Sequence, residues 1–256
     1  MTKENLDQKI LSWLNTQGYG VEMLVAESLD TSGFEVIKSS FYEDPETGIS
    51  REIDVVGRLT DDLGLVLIYS IIECKKSSKP WVIFTTEKTG RNRFTSFAIM
   101  SNYARKVMPS HLANMQKIDW YKKPGRQGYG ISEAFNLNAD VTFKACMTAT
   151  KAAISLICDQ EESQIFKSLS FLFPTVVLDG RLFESYLGED EKPVITEIDS
   201  AFLLFPIKIG DYFGSSVRIV TLKAFNRYCK DVKSVFSFIE NEFSEEKKEL
   251  INSMGL

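Results

Sequence analysis

The spacing of apolar residues changes along the chain and predicts where helices and strands lie. Apolar residues recur at helical spacing in 5–14 and again in 21–31, where the second repeat ends at a Ser-Gly pair. Segments typical of strands follow at 34–41, 51–59, 65–77 and 81–84. Residues 66–72 are almost all apolar, which favours a central strand covered on both faces. The chain is therefore expected to open with helices followed by consecutive strands.

The later part of the chain again shows apolar residues at helical spacing and at strand spacing. Helices are predicted at about 94–108, ended by Pro109, and at 140–159 and 225–242. Strands are predicted at 171–178, 193–209 and 217–222. Because Pro206 lies inside the second of these, we expect that strand at a sheet edge. A single α/β domain over 1–256, with an inserted basic segment at about 85–135, accounts for this order.

Charged residues stand at two places within the apolar strands. Asp54 interrupts the apolar run of one strand, and Glu73 and Lys75 close the next strand. Residues two apart in a strand share a face, so Glu73 and Lys75 point together while Cys74 points away. Two carboxylates and a lysine at the end of a buried sheet are costly unless a cation offsets them. Mg²⁺ binds one or two carboxylates with waters and substrate phosphate oxygens, so the pattern indicates metal-dependent phosphate chemistry.

A third acid is predicted on the helix that precedes these strands. Val25 and Leu29 mark the buried stripe of this helix, three and seven positions after Glu22, so Glu22 lies on the same face. Glu27 lies on another side and is expected in solvent. A glutamate that faces the sheet needs a cation, unless its side chain reaches out past the helix edge. Glu22 is therefore a candidate for the same site.

These residues resemble the signature of the PD-(D/E)XK nuclease superfamily, which has the restriction-endonuclease-like fold. The motif here is Asp54 followed by the triplet Glu73–Lys75, with Ile53 at the position where the family often has proline. The resemblance covers motif detail in about 20–84 and element order alone in about 140–180. It implies a three-layer α/β/α domain with a mixed central sheet and a core that opens α-β-β-β-α-β.

The resemblance also implies an activity and the roles of the site residues. The chain would be an endonuclease that hydrolyses DNA phosphodiester bonds with Mg²⁺, for which Mn²⁺ substitutes. Asp54 and Glu73 would bind the metal with support from Glu22. Lys75 would position the attacking water. Members of the superfamily often act in restriction or anti-phage defence, so we expect that setting.

Composition argues against several other classes of enzyme and site. The chain has one histidine, His111, expected at a helix start on the surface, so histidine-based triads and zinc sites lack the residues they need. The four cysteines are scattered without a C-x-x-C pair, which favours a reduced, cytoplasmic setting without a disulfide framework. Neither a signal-peptide core nor an apolar run of about 18 residues is found, so no membrane association is expected.

The distribution of charge predicts a nucleic-acid-binding segment on an acidic chain. The net charge is −5, yet 75–126 contains twelve basic and two acidic residues, a balance of +10. Basic side chains in such a block suit contacts with phosphates. The candidates for contacts with nucleic acid are Lys76, Lys79, Lys88, Arg91, Arg93, Lys122, Lys123 and Arg126. Alternatively, these basic residues lie on unrelated solvated loops and bind no nucleic acid. Lys144 and Lys151, on the helix predicted at 140–159, are expected in solvent.

Several alternatives stay open on the sequence alone. Glu-x-Lys triplets also occur at 245–247 and 246–248, in a charged segment typical of a solvated helix, so the triplet by itself has little weight. In another interpretation, Asp54 and Glu73 are solvated carboxylates at strand ends. The chain would alternatively be a catalytically silent subunit that binds nucleic acid or protein within a larger defence complex. RNA is an alternative substrate, and a homodimer would suit the cutting of both strands of a duplex.

Overall fold

The computed structural model of the protein describes residues 3–86, 98–122, 126–136, 140–163, 167–213 and 216–255. Its helices are α1 (Lys3–Gln17), α2 (Tyr19–Thr31), α3 (Asn102–Met115), α4 (Asp119–Lys122), α5 (Val141–Ser163), α6 (Phe225–Glu242) and α7 (Ser244–Met254). Its strands are β1 (Glu35–Glu43), β2 (Ser50–Thr60), β3 (Val66–Lys76), β4 (Trp81–Thr86), β5 (Ile99–Met100), β6 (Gln127–Glu133), β7 (Leu169–Asp179), β8 (Leu182–Leu187), β9 (Pro193–Ile198), β10 (Ser200–Leu204), β11 (Lys208–Ile209), β12 (Tyr212–Phe213) and β13 (Ser216–Thr221).

Eleven strands form one mixed sheet, in the order β1-β2-β3-β7-β13-β10-β6-β4-β8-β9, with β5 paired to β7. The first three strands are antiparallel neighbours, as strands joined by short turns are. β7 pairs in parallel with β3 along its whole length, from Val66 opposite Leu169 to Lys76 opposite Asp179. Parallel neighbours need a long connection, and the connection between these two contains α5. The predicted α/β class with a mixed sheet is confirmed.

The central strands are covered by helices on both faces. In β3, every residue from Val66 to Cys74 except Tyr69 is buried. Ile72 faces one side, where it belongs to an apolar cluster with α2, α3 and α6. Ile71 faces the other side, where it packs with α5. The apolar run predicts this central position, and it places the charged end of β3 at the border of the core.

The close approach of α2 to β2 depends on a glycine in the sheet. A methyl group added at Gly57 would meet the side chain of Leu29 in α2 at 2.8 Å. Carbon atoms attract each other at wider separations than this, so a larger residue at this position would push α2 away from β2. α2 is followed by Gly33, whose φ of +83° favours glycine. These two glycines fix the helix that carries Glu22.

The helix predicted at about 94–108 differs from the structure. α3 begins later and continues through Pro109, which lies inside it. Ile99–Met100 form a strand that pairs with β7 instead of a helical turn. Proline removes one helical hydrogen bond, but here the apolar side of α3 packs into the core and keeps the helix intact. Residues 94–97 of this prediction lie outside the described residues.

The strand predicted at 193–209 is three separate strands, and the expected edge position holds only for the first. β9 is the last strand of the sheet, whereas β10 lies between β13 and β6. Pro206 follows β10 in the connection to β11, where it removes no hydrogen bond from the main sheet. β8 is an additional strand, which its sequence L-F-E-S-Y-L does not predict because it lacks a clear alternation.

Much of the segment predicted as a basic insertion belongs to the main sheet. β6 lies between β10 and β4 and pairs with both. α3 contributes to the same apolar cluster as α2 and α6. Residues 87–97 and 123–125 of this segment lie outside the described residues. The described part is therefore continuous with the core, and the single-domain organisation of the whole chain stays a prediction.

α5 has the length and the hydropathy of a membrane-spanning helix, and it is the one such helix in the described ranges. In its most apolar window, 56% of the residues are buried within the protein. They pack on β3 and β7, as the residues of a core helix do.

A buried ion pair joins α5 to the turn between β1 and β2. The ammonium of Lys151 donates to both carboxylate oxygens of Asp44 at 3.0 Å and lies 2.6 Å from Glu46. Asp44 is 1% exposed and also accepts a hydrogen bond from Arg51. The expectation that Lys151 lies in solvent is wrong, whereas Lys144 is exposed as expected. The sequence places Asp44 in a turn but does not reveal that the turn folds against α5.

Removal of the Lys151 charge should destabilise the protein. Lys151→Met keeps a long side chain but leaves Asp44 buried with Arg51 as its remaining cation. Loss of one partner from a buried ion pair costs about 3 kcal/mol, so we expect the free energy of unfolding in urea to fall by that amount. Lys144→Met, on an exposed position of the same helix, is the control and should change it by less than about 0.5 kcal/mol. Equal values for the two variants would contradict a structural role for the ion pair.

His111 lies in the second half of α3 and joins this helix to α6 and α7. Its ring nitrogens bond the carboxylates of Glu242 at 2.8 Å and Glu246 at 2.7 Å. Burial lowers the pKa of His111, but the two carboxylates raise it by more, so it lies above the ordinary 6.5. The expectation of a helix-start residue on the surface is wrong, because α3 extends further than predicted.

The stabilisation supplied by His111 should decrease as the pH rises. A folded-state pKa above the unfolded value means that the folded protein binds this proton more tightly. The contribution is therefore complete below the unfolded pKa and is lost as the pH rises through the folded-state pKa. Thermal unfolding of the parent and of His111→Gln across this pH range should show a shrinking difference in Tm. A Tm difference that does not change with pH would contradict stabilisation by protonated His111 and its two glutamates.

Candidate active site

The predicted motif residues lie where β2, β3 and α2 meet. The pairing of β2 with β3 extends to Val55, which lies opposite Ile72. Next to this pair, the carboxylate of Asp54 accepts a hydrogen bond of 2.7 Å from the backbone N–H of Cys74. This bond joins the side chain of one strand to the backbone of the other. It holds the Asp54 carboxylate beside Glu73.

Glu73 and Lys75 point to the same side of β3, as the strand period predicts. The ammonium of Lys75 lies 2.5 Å from the carboxylate of Glu73. Glu73 is 8% exposed, so little water reaches its carboxylate, whereas the Lys75 side chain is 30% exposed. Cys74 points to the opposite side and packs in the apolar cluster with α2 and α6. The interpretation of Glu73 as a freely solvated strand-end carboxylate does not fit this burial.

The two carboxylates repel each other across the strands. Burial, and after it the charge of Asp54, raise the pKa of Glu73 to about 7 against the opposing effect of Lys75. Burial also raises the pKa of Asp54, although the hydrogen bond from Cys74 opposes it. Burial lowers the pKa of Lys75, but Glu73 and Asp54 raise it by more. The site therefore holds two carboxylates that repel each other and one ammonium that offsets this repulsion only in part.

Glu22 reaches the same site from α2. Burial is the main cause that raises its pKa, followed by the negative charges of Asp54 and Glu52, while Lys75 lowers it. Glu22 in turn contributes to the raised pKa of Glu73. The structure thus brings all four predicted residues into one electrostatic cluster.

Glu52 is a further acid of this cluster, which the sequence reasoning misses. It lies two residues before Asp54 on β2, and its charge raises the pKa of both Asp54 and Glu22. The period of two that places Glu73 beside Lys75 would also place Glu52 on the same side as Asp54. The spacing of Glu52 and Asp54 in the sequence therefore predicts that Glu52 belongs to the cluster.

The free oxygens of Asp54 and Glu73 suit a hard divalent cation. One oxygen of each is engaged, Oδ2 of Asp54 by the backbone of Cys74 and Oε1 of Glu73 by Lys75. The other oxygen of each accepts no hydrogen bond from a described residue, and Mg²⁺ binds one or two carboxylates while keeping several waters. In the described part of the chain, no group of three or more His, Cys, Asp or Glu side chains is placed to hold a metal. The assignment of Glu22 as a ligand that supports the metal stays a prediction.

Most of the predicted contacts with nucleic acid fall outside the described side chains. The residues outside the described ranges are Lys88, Arg91, Arg93 and Lys123. Lys122 is the last residue of α4, and the structure does not describe its side chain. For these residues the assignment stays a prediction.

The remaining candidates have different surroundings. Lys76 is exposed at the end of β3, 4.0 Å from Asp179. Lys79 is exposed a few residues further on. Arg126 donates to Glu184 at 3.0 Å, and its guanidinium lies 3.6 Å from the ring centre of Tyr186. Lys76 and Lys79 therefore lie on the surface near the site, whereas Arg126 is held by contacts within the protein.

Comparisons with known proteins do not identify a relative. No family model, no curated protein and no solved structure matches the chain. The function must therefore be inferred from the geometry and the electrostatics of the site.

Removal of the Asp54 charge should lower the pKa of Glu73. With Asn at position 54 the repulsion disappears, so the Glu73 carboxyl should ionise below the parental value of about 7. Carbon-13 NMR titration of this carboxyl in metal-free protein measures the change. Glu52→Gln is the matched control, because Glu52 acts on Asp54 and Glu22 but is not among the main charges that act on Glu73. An unchanged pKa in Asp54→Asn would contradict the coupling of the two acids.

Proposed function

We propose that the chain is a Mg²⁺-dependent endonuclease that hydrolyses phosphodiester bonds in DNA. The observation that carries this proposal is the pair of half-buried and buried carboxylates, Asp54 and Glu73, with Lys75 in contact at the end of β3. Two acids and one ammonium in a site of low hydration need a ligand that balances their charge. A divalent cation together with a phosphate group would meet this need.

The order and direction of the strands support the same proposal. The elements α2, β1, β2, β3, α5 and β7 follow each other as α-β-β-β-α-β, with β4 to β6, α3 and α4 inserted before α5. β2 is antiparallel to both of its neighbours, and β7 is parallel to β3. Helices lie on both sides of these strands. A restriction-endonuclease-like core of three layers, extended by further strands at one edge, accounts for this arrangement.

Each residue of the cluster would have a distinct role. Asp54 and Glu73 would hold Mg²⁺ through their unengaged oxygens, and Glu22 would support the metal from α2. When bound, Mg²⁺ lowers the pKa of a water molecule and neutralises charge on the phosphate. Lys75 would orient the water for in-line attack on the phosphorus. The resemblance to the superfamily implies that the 3′ oxygen leaves and that the product carries a 5′-phosphate. The ion pair of Lys75 with Glu73 holds the ammonium in position before the substrate arrives.

The surroundings of the site are consistent with a polyanionic substrate. Lys76 and Lys79 follow Lys75 in the chain, and both are exposed. They would contact phosphates next to the one that is cut. By the resemblance to the superfamily, we propose restriction or anti-phage defence in the cytoplasm as the setting, with a homodimer or other subunits as partners.

The proposed activity depends on a metal, on Asp54 and on Lys75. The purified protein should convert supercoiled plasmid to nicked and linear forms with Mg²⁺ or Mn²⁺ and not with EDTA. Asp54→Asn removes a metal ligand and Lys75→Ala removes the group that orients water, so each should lower the rate by at least about 100-fold. Lys248→Ala changes an exposed lysine that belongs to a Glu-x-Lys triplet on α7. It is the matched control and should cut at the parental rate.

The results of these cleavage assays distinguish a wrongly assigned active site from a protein that has no nuclease activity. Circular dichroism should show the parental fold for every variant, since Asp54 and Lys75 lie at the border of the core and Lys248 is exposed. Cutting by Asp54→Asn at the parental rate would show that the site is assigned wrongly. If the parent cuts neither DNA nor RNA but binds metal in calorimetry, a catalytically silent subunit of a larger complex would be favoured instead.

A further inference from the structure

A cleft lies beside the candidate active site and has no part in the proposed hydrolysis. It is formed between α5 and the adjoining ends of β1 and β2, with a volume of about 370 Å³. Pockets that bind small molecules begin at about this size. Tyr42 from β1, Arg51 from β2, and Phe143 and Lys144 from α5 are among the residues that line it. The cleft is therefore large enough for one nucleotide unit.

The cleft and the candidate site share one face of the sheet. Tyr42 belongs to the same apolar cluster as Ile71 of β3 and residues of α5. Glu73 lies two residues after Ile71, on the same side of the strand. Burial is the main cause that raises the pKa of Tyr42 to about 12, and the charges of Asp44 and Glu73 add to it. A ligand in the cleft would therefore lie next to the proposed cleavage site.

Tyr42, which lines the cleft, has an unsatisfied hydroxyl that is buried. The residue is 3% exposed, and its hydroxyl has no hydrogen-bond partner among the described residues. Buried hydroxyls generally have a hydrogen-bond partner, because an unpaired one destabilises the fold. Asp44 also lines the cleft but already accepts hydrogen bonds from Lys151 and Arg51. The hydroxyl of Tyr42 is itself buried, so Tyr42 contributes its ring, and not its hydroxyl, to the wall of the cleft.

The cleft also combines an exposed aromatic ring with two cations. Phe143 is 42% exposed and touches the ring of Phe205, with 5.3 Å between ring centres. The Nε of Arg51 donates a hydrogen bond to Asp44, but 48% of the Arg51 side chain is exposed. Lys144, which follows Phe143 in α5, is also exposed. A flat base suits the aromatic ring, and a phosphate suits the two cations.

We infer that this cleft binds a single unpaired nucleotide of the substrate, with the base against Phe143 and the phosphate near Arg51 and Lys144. The inference rests on the proposed function, which supplies nucleic acid as the ligand. A paired base in a duplex is stacked and cannot enter a cleft, so the substrate is single-stranded or releases a base from the helix.

Binding of mononucleotides tests this assignment without any cleavage. With EDTA present, titration with a deoxynucleoside monophosphate should shift the NMR signals of residues around the cleft. Phe143→Ala should weaken binding about tenfold, because stacking on the ring is lost. Lys144→Ala should reduce the preference for the nucleotide over its nucleoside. Phe135→Ala is the control, because Phe135 is 87% exposed and does not line the cleft, and it should bind as the parent does.

Three results would overturn the inference. They are no binding at millimolar mononucleotide, equal affinity for inorganic phosphate, and unchanged affinity in Phe143→Ala. Phe143→Leu keeps apolar volume without the ring, so weakened binding in this variant, with parental thermal unfolding, supports stacking and not packing. DNA cleavage assays separate the two hypotheses. Cleavage without mononucleotide binding rejects the cleft alone, whereas mononucleotide binding without cleavage supports the cleft and rejects the nuclease.

Discussion

Burial of the charged end of β3 is the constraint on which the rest of the structure depends. The strand is apolar through Ile72 and covered on both faces, so Glu73 and Lys75 follow the core directly. Little water reaches Glu73, and a backbone hydrogen bond keeps Asp54 beside it, so the repulsion between the two acids is weakly screened. The close packing of α2 on β2 and the ion pair between α5 and the β1–β2 turn hold the surrounding elements in place. These contacts oppose a separation of the strands that would relieve the charge.

Local patterns in the sequence predict most of what surrounds the candidate site. The apolar run at 66–72 predicts a central strand, the period of two places Glu73 with Lys75, and helical spacing places Glu22 on the inner face of α2. Each of these predictions uses residues within one element, whose period is set by backbone geometry. The same period of two places Glu52 with Asp54 on β2.

Contacts between distant segments cannot be predicted in this way. Lys151 has the spacing of a solvated helix residue, and only the packing of a remote turn buries it. Pro109 predicts the end of a helix, but tertiary packing keeps α3 intact through it. Strand β10 follows β9 directly in sequence, yet lies in the interior of the sheet because β6 and β13 flank it. The cleft likewise unites Tyr42 with Phe143, which no local pattern connects.

The pairing of β3 with β7 has a consequence for the biosynthesis of the protein. All acids of the cluster lie on elements that end by Lys76, whereas β7, which flanks β3, begins at Leu169. Chains emerge from the ribosome with the N-terminal part first, and pairing between remote strands is slow. A nascent chain would therefore present Asp54 and Glu73 on a hydrated hairpin, with ordinary acidity, until α5 and β7 have been translated. The unusual acid–base state of the cluster would arise late in synthesis, so that a chain interrupted before β7 would not acquire it.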